Sequence, residues 1–538
     1  METYRTDTTR RLVVLGLIGL ACGALALVVS RTGPTYASDS AVYFGIAQNL
    51  LDGHGPTSPI TLAFTDYFSP VETARFEGVI PVTTLPYGYP LLLAIIGAFG
   101  VSLDTAARLL GAAGLGLCAA LLGGMTLRVT RGSWPAASTT ILLFIVAAPL
   151  FEGFYPVSWL LLSGFALAEV VFLAITLLAV FAIASLLRNG RSVDVWCTGL
   201  LIGAAIITRY LGAALLLAVI VLVASKRSWT VGTRVRRGAA LIVLASAPVL
   251  VWVVALDARY GLGAPSTPLR FRPIRSDLFS DGAETVAHWF VPTEVRGGLA
   301  VLTTIALFGV ITVAIVLLRR RRGPDPIMWV VLTVAAAYVV TLFAAIVLTN
   351  SNIGFDGRLL APVRALTYVV VVWVVFEIVA RAARSTSPTR ARTVAGCAVV
   401  ILGLFVCLPS ARSAARLVRD GAPIGPRALT GVLAAADALP SDAFVMSNAP
   451  ETIWLGTGKR SIIVPIRRVP EAGVDNPHFD RDLREAARLL ARRDGFLVMF
   501  DGYDGSEIAT TDEIAERFPL DLVERLPDGA IYRSRSAP

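Results

Sequence analysis

A chain of 538 residues in which 55% of side chains are hydrophobic and 16% charged, with mean hydropathy +0.70, carries more apolar surface than one water-soluble core can bury. Its net charge of +10 raises nucleic acid as a partner. The basic residues instead cluster in short turns between apolar runs, as the positive-inside rule produces, and this sets nucleic acid aside.

In chain order, Arg5, Arg10 and Arg11 precede an apolar run over residues 12–30, which reaches across the hydrocarbon at about 1.5 Å per residue and leaves the N-terminus cytoplasmic. A cleaved signal peptide would share the basic start and the small residues of TYAS, but the run has the length of a span. There follows a long polar excursion with Asp39 at its start and the turn PYGYP near its end. Loops of such length in compact proteins are usually functional. The segment GYPLLLAIIGAFG is apolar but too short to span, so it is expected to lie at the interface or to re-enter.

Further crossings are expected at residues 109–127, 135–151 and 163–187, the last with Glu169 near its outer end. The run 193–225 is too long for one ordinary helix and holds Thr208, Arg209 and Tyr210 in its middle, which predicts two short helices meeting at that triplet. Residues 238–256, 299–318, 328–349, 365–380 and 394–408 complete about eleven spans, an odd number that leaves the C-terminus outside. The five cysteines, Cys22, Cys118, Cys197, Cys397 and Cys407, all lie in apolar runs without metal-ligand spacing and read as packing residues.

The expected organisation is therefore a multi-pass α-helical membrane domain over residues 1–409, with external loops at 31–103 and 257–297, and an extracytoplasmic α/β domain over 410–538. That tail alternates the helix-like ALTGVLAAADAL and RDLREAARLLARRDG with the strand-like AFVMSN, IIVPI and FLVMF. Its GTGK lacks the leading spacing of a P-loop. A docking or acceptor-positioning module is the expected role.

Asp39 falls at the outer membrane surface, where a carboxylate can take a proton from an acceptor hydroxyl. The competing role is a helix N-cap, shared with Ser38 or Ser40 as candidates, because SDSAVYFGIAQNLL begins like a capped helix. Glu169 and Arg209 lie in apolar surroundings that penalise a lone charge, so they either pair with each other or line a polar cavity.

The pattern Asp39, Tyr43, Ala47, Leu50, Gly53, Gly55, then PYGYPLLLAIIGAFG and Arg108, resembles the first outer loop of GT-C fold glycosyltransferases. That superfamily includes protein O-mannosyltransferases, aminoarabinose transferases and bacterial relatives that use polyprenyl-phosphate sugars. The resemblance extends to LAEVVF around Glu169, GLLIGAAIITRYLGAALLL around Arg209 and FDGRLLAPV around Arg358. It implies a GT-C-like fold and the role of catalytic base for Asp39. Many relatives carry a second acid beside the first, whereas Ser40 and Ala41 stand here. A divalent metal held by paired carboxylates is accordingly disfavoured, no other cofactor is expected, and Asp66, Glu72 and Glu77 are the candidates for a second carboxylate.

Moving a sugar off a lipid phosphate requires deprotonating the acceptor, stabilising the departing phosphate and excluding water. The phosphate calls for Arg, whose planar fork grips two oxygens. Arg358 is one candidate; Arg270, Arg272 and Arg275 are others, although an ordinary solvated loop equally explains that external cluster. Tyr43, Tyr87, Glu169, Arg209, Tyr210 and His288 are the candidates for the substrate cavity, with a packed residue beside Trp289 as the alternative for His288.

The expected partners are a polyprenyl-phosphate sugar, an acceptor glycan, lipid or protein, and membrane lipids. Lys226 and Lys459 are the only lysines, a bias that suggests a GC-rich bacterial genome, a plasma-membrane location and the mannose or arabinofuranose donors of actinobacterial envelopes. The rivals are a flippase for lipid-linked sugars and a non-catalytic assembly subunit. Transporters usually show matched repeats, and no matching halves stand out in this sequence.

Overall fold

The computed structural model describes residues 2–60, 77, 79–147, 151–152, 155–156, 158–260, 271, 278–291, 298–320, 326–348, 354–383, 387–422, 431–469, 474–502, 507–517 and 519–535. Among them, eight helices are long and apolar enough to cross a membrane: Thr8–Val29, Leu103–Val129, Glu169–Asn189, Val231–Ala255, Val301–Arg320, Pro326–Leu348, Ala361–Ala382 and Pro388–Asp420. Three shorter apolar helices, Trp134–Val146, Ser192–Thr208 and Tyr210–Ala224, fall on the remaining segments that the sequence marks as crossings. A fourth, Gly88–Gly97, covers the apolar segment too short to span.

Burial sorts these helices into a centre and a periphery. Glu169–Asn189 and Ala361–Ala382 are buried along most of their length, whereas Val231–Ala255 and Val301–Arg320 turn residues such as Leu250, Val254, Leu302 and Phe308 outward. Lipid is the solvent that such a surface suits. The first helix and Leu103–Val129 meet through small residues: a Cβ on Gly19 would stand 2.9 Å from the Gly116 carbonyl oxygen, and one on Gly23 3.0 Å from that of Ala112. Close backbone approach of this kind is how membrane helices gain dispersion contact without a hydrophobic driving force.

The last long helix runs to Asp420, beyond the expected boundary near residue 410, and carries Pro409 within it. The Ala, Arg and Leu residues that follow the proline are good helix formers and keep the chain helical. Beyond it, residues 431–535 contain a five-stranded sheet whose spatial order is Leu520–Leu526, Gly529–Ser534, Phe496–Phe500, Val445–Ser447, Ser461–Ile463. The last three strands in that order are mutually parallel, and the first three pair antiparallel.

Strand alternation gives this sheet two apolar faces. Met446 and Leu497 meet Leu483, Ala486 and Leu490 of helix Phe479–Arg492 on one face. On the other, Val445, Val498 and Ile531 meet Val432, Leu433 and Ala436 of helix Gly431–Asp437 and Ile453 of helix Pro450–Thr457. Helix Pro450–Thr457 also packs against Ser38–Leu51, so the α/β unit sits beside the helix that begins with Asp39.

Candidate active site

Helix Ser38–Leu51 starts after Ala37, whose N–H donates to Ser40 Oγ at 3.0 Å. Capping therefore falls to Ser40, and Asp39 stands in the first turn, where the helix dipole favours a carboxylate. Glu169 also stands in the first turn of its helix, as the first residue. The two approaches are tied together: Thr35 N–H donates to Gly164 O and Ala166 N–H donates to Thr35 O, both at 2.9 Å.

Arg209 breaks the chain between helices Ser192–Thr208 and Ala213–Ala224, with extended dihedrals of φ −152° and ψ 133°. The break is where the sequence pattern places it. Gly88 of the PYGYP turn presses on the same point, and a Cβ there would meet Ile207 O at 2.6 Å and Thr208 N at 3.0 Å. Gly88→Ala is accordingly expected to displace Arg209 and to reduce turnover with little effect on expression, a contrast that paired activity and yield measurements read directly.

Arg358 lies in the turn before helix Ala361–Ala382. Asp356 Oδ1 accepts from Leu359 N–H at 2.7 Å, and Tyr338 from the neighbouring helix donates its hydroxyl to Leu359 O at 3.0 Å. Burial pushes the Asp356 carboxyl above its ordinary value, opposed by the Leu359 N–H and the Arg358 guanidinium. Tyr338→Phe removes one of these two supports while keeping the ring. A several-fold fall in turnover with unchanged folding is expected, measured as kcat against thermal midpoint.

These elements bring four charged side chains into one ionic chain. Arg358 donates through Nη2 to Asp39 Oδ2 and through Nε to Glu169 Oε1, and Arg209 Nη1 donates to the same Glu169 oxygen. All four are largely buried, Glu169 most deeply at 2% side-chain exposure. Two carboxylates and two guanidiniums balance formally, which is what makes such burial tolerable. Glu169 Oε2 is buried yet accepts no hydrogen bond among the described residues, and a buried acceptor in that state is costly until a donor arrives.

Tyr43 is buried beside this chain and stacks edge-on against Tyr89, with ring centroids 5.3 Å apart. Burial, reinforced by Asp39, raises its phenol well above the ordinary value and keeps it a hydrogen-bond donor. Tyr87 and Tyr210 lie next to the site rather than in its ionic centre. Their rings flank Trp252 at 5.1 and 6.3 Å, with Tyr87 Oη donating to Pro248 O and Tyr210 Oη to Thr83 O.

His288 is buried beside Trp289 after helix Leu278–Ala287. Glu77, exposed and at φ +49°, lines a cleft between the segment after helix Ser38–Leu51 and the α/β unit, while the second carboxylate of the ionic chain is Glu169. Asp66, Glu72, Arg270, Arg272 and Arg275 lie outside the described residues. Among the described residues no three His, Cys, Asp or Glu side chains converge as a metal site requires, and the cation between the two carboxylates is Arg358 itself. Asp356, Tyr89 and Tyr338 are additions that sequence reasoning does not single out. Only Asp356 carries a sequence signal, as an Asx residue opening the turn that contains Arg358.

No protein-family model matches the chain, and no curated protein does. Among solved structures, it is similar to ArnT from Cupriavidus metallidurans bound to undecaprenyl phosphate, at TM-score 0.54 and 13% identity over 99% of each chain. The apo state of that protein gives TM-score 0.55 at 13% identity, covering 99% of this chain and all of the other. An oligosaccharyltransferase from Archaeoglobus fulgidus, in complex with Zn and sulfate, gives TM-score 0.50 at 13% identity over 91% of this chain and 68% of that one. At such identity the likeness speaks to architecture alone: the chain shares the fold of ArnT and of the archaeal oligosaccharyltransferase.

Proposed function

We propose that the chain is a membrane glycosyltransferase that moves a monosaccharide from a polyprenyl phosphate to a hydroxyl of an extracytoplasmic glycan, lipid or protein. The observation that carries this reading is the ionic chain Asp39–Arg358–Glu169–Arg209, assembled from four distant segments where helices begin or break. Its occurrence in the fold of ArnT, one of whose structures holds undecaprenyl phosphate, supports a lipid-phosphate donor. A bacterial plasma membrane, with the N-terminus cytoplasmic and the site on the opposite face, completes the proposal.

In the reaction, the acceptor oxygen attacks the anomeric carbon as the bond to the phosphate oxygen breaks. Asp39 receives the acceptor proton, and polyprenyl phosphate leaves with the bonding pair. A single displacement of this kind inverts the anomeric centre. Arg358 holds Asp39 in the resting site, and an arriving phosphate competes for the same guanidinium. Donor binding thereby frees the carboxylate to act as base. Glu169 Oε2 offers an acceptor to a sugar hydroxyl, and the Arg209 pair holds that carboxylate in place.

Mannose and arabinofuranose are the favoured sugars. The test is incubation of the purified chain in vesicles with radiolabelled polyprenyl-phosphate mannose or arabinofuranose and a cell-envelope extract. Label is expected to pass from lipid to acceptor with one of the two donors; no transfer from either would count against the reading. Since Arg358 already supplies the charge between the carboxylates, that transfer is expected to persist in EDTA.

A further inference from the structure

A cleft of about 530 Å³ separates the segment after helix Ser38–Leu51 from the α/β unit, a volume within the ~300–1,000 Å³ of ordinary ligand pockets. Pro59, Glu77 and Ile80 form one wall; the other includes Asp442, Lys459, Arg460 and Arg493. It is distinct from the ionic chain around Asp39, and nothing in the proposed chemistry uses it.

Among the described residues, the cations of this unit fall into two groups, those paired with a carboxylate and those of the cleft and the neighbouring helix face, which are not. Arg467, Arg481, Arg517, Arg525, Arg533 and Arg535 each face a carboxylate within 4 Å. Lys459, Arg460 and Arg493 form no ion pair among the described residues, although Asp442 and Glu77 line the same space. Arg460 instead donates to the Glu77 carbonyl, and Arg493 lies over the Phe444 ring at 5.8 Å. Three cations against the two carboxylates of Glu77 and Asp442, with no ion pair formed between them, leave this concavity with positive charge to offer an anion.

The positive surface continues beyond the cleft. Arg484, Arg488 and Arg492 recur every fourth residue and are exposed, so they share one face of helix Phe479–Arg492 and span about 12 Å along it. The chain then passes directly to Arg493 in the cleft. An extended polyanion matches this ridge better than a single phosphate does.

The other wall points toward Asp39. Pro59 sits against Gly45, where an added Cβ would meet the proline ring, and Gly45 lies six residues along the helix from Asp39, roughly 9 Å. We propose that the cleft and ridge hold the acceptor, and that the acceptor is an anionic sugar chain bearing carboxylates or phosphates. This deepens the transferase reading and rests on it for the acceptor role.

The test is binding of a fluorescent oligogalacturonate, with a neutral maltooligosaccharide of equal length as control, to the full chain in phosphatidylcholine nanodiscs. The expected result is salt-sensitive binding of the anionic probe only, weakened about tenfold or more in Lys459→Ala/Arg460→Ala/Arg493→Ala. Arg460→Lys/Arg493→Lys keeps the charges and is expected to bind as wild type does. Asp39→Asn should also bind normally, since no proton moves.

Undiminished binding in the triple alanine variant, or equal binding of the neutral probe, would overturn the proposal. So would loss of binding when phosphatidylglycerol replaces part of the nanodisc lipid, because lipid headgroups would then be the ligand. If wild type binds the probe but transfers no sugar from any polyprenyl-phosphate donor, the acceptor role falls with the transferase reading.

Discussion

Asp39→Asn is expected to lower kcat by about 10²–10⁴-fold while leaving donor binding and folding intact. The substitution is nearly isosteric, and the Asn oxygen still accepts from Arg358 Nη2, so the start of helix Ser38–Leu51 keeps its partner. What disappears is the capacity to receive the acceptor proton. Because Ser40 carries the cap, the loss cannot be attributed to a frayed helix. Single-turnover transfer with saturating donor, read beside donor affinity, separates the two effects. Equal single-turnover rates in variant and wild type would remove Asp39 from the role of base.

Arg358→Ala should do harm of a different kind. It removes the group that, among the described residues, bridges Asp39 and Glu169, and leaves Asp39 without its observed ionic partner in a largely buried setting. Breaking a buried pair by deleting one member typically costs about 3–5 kcal/mol, so thermal stability and transfer should fall together. Arg358→Lys retains the charge and separates the two consequences. A single ammonium does not reproduce the Nε and Nη2 fork, so much of the stability should return while transfer remains poor. Thermal midpoints in detergent, with and without polyprenyl phosphate, provide the measurement. A full return of transfer in Arg358→Lys would show that point charge suffices and that the fork has no special part.

Much of this architecture is legible in the sequence because a bilayer imposes strong patterns. Charge is expensive in hydrocarbon, so Glu169, Arg209 and Arg358 stand out against their apolar neighbours. Arg209 in the middle of a run of about two span lengths also marks the helix break. Their meeting in one chain is less legible, since it depends on the bridge at Thr35 and on Gly88 lying against Ile207, long-range contacts without a local period.

The roles of Tyr338 and Tyr89 were hidden for a related reason. Each reads as an ordinary aromatic in an apolar run until the fold supplies the Leu359 carbonyl or the Tyr43 ring. In the tail, the alternation of helices and strands does not itself mark the final hairpin. The signal there is local, Pro527–Asp528 between strands Leu520–Leu526 and Gly529–Ser534, with Pro and Gly at the second and fourth positions that a β-turn favours. The unpaired cations of the cleft could not be read from sequence at all, because salt-bridge partners are chosen by tertiary geometry.

The central claim is that this site breaks the bond between a sugar and a polyprenyl phosphate. The most direct measurement uses a donor labelled separately in the sugar and in the phosphate, incubated with the purified chain in sealed vesicles. The labels are expected to part, the sugar passing to acceptor while polyprenyl phosphate remains in the lipid, and Asp39→Asn is expected to abolish the parting. Labels that stay joined while the lipid-linked sugar crosses the bilayer would contradict it and identify a transporter.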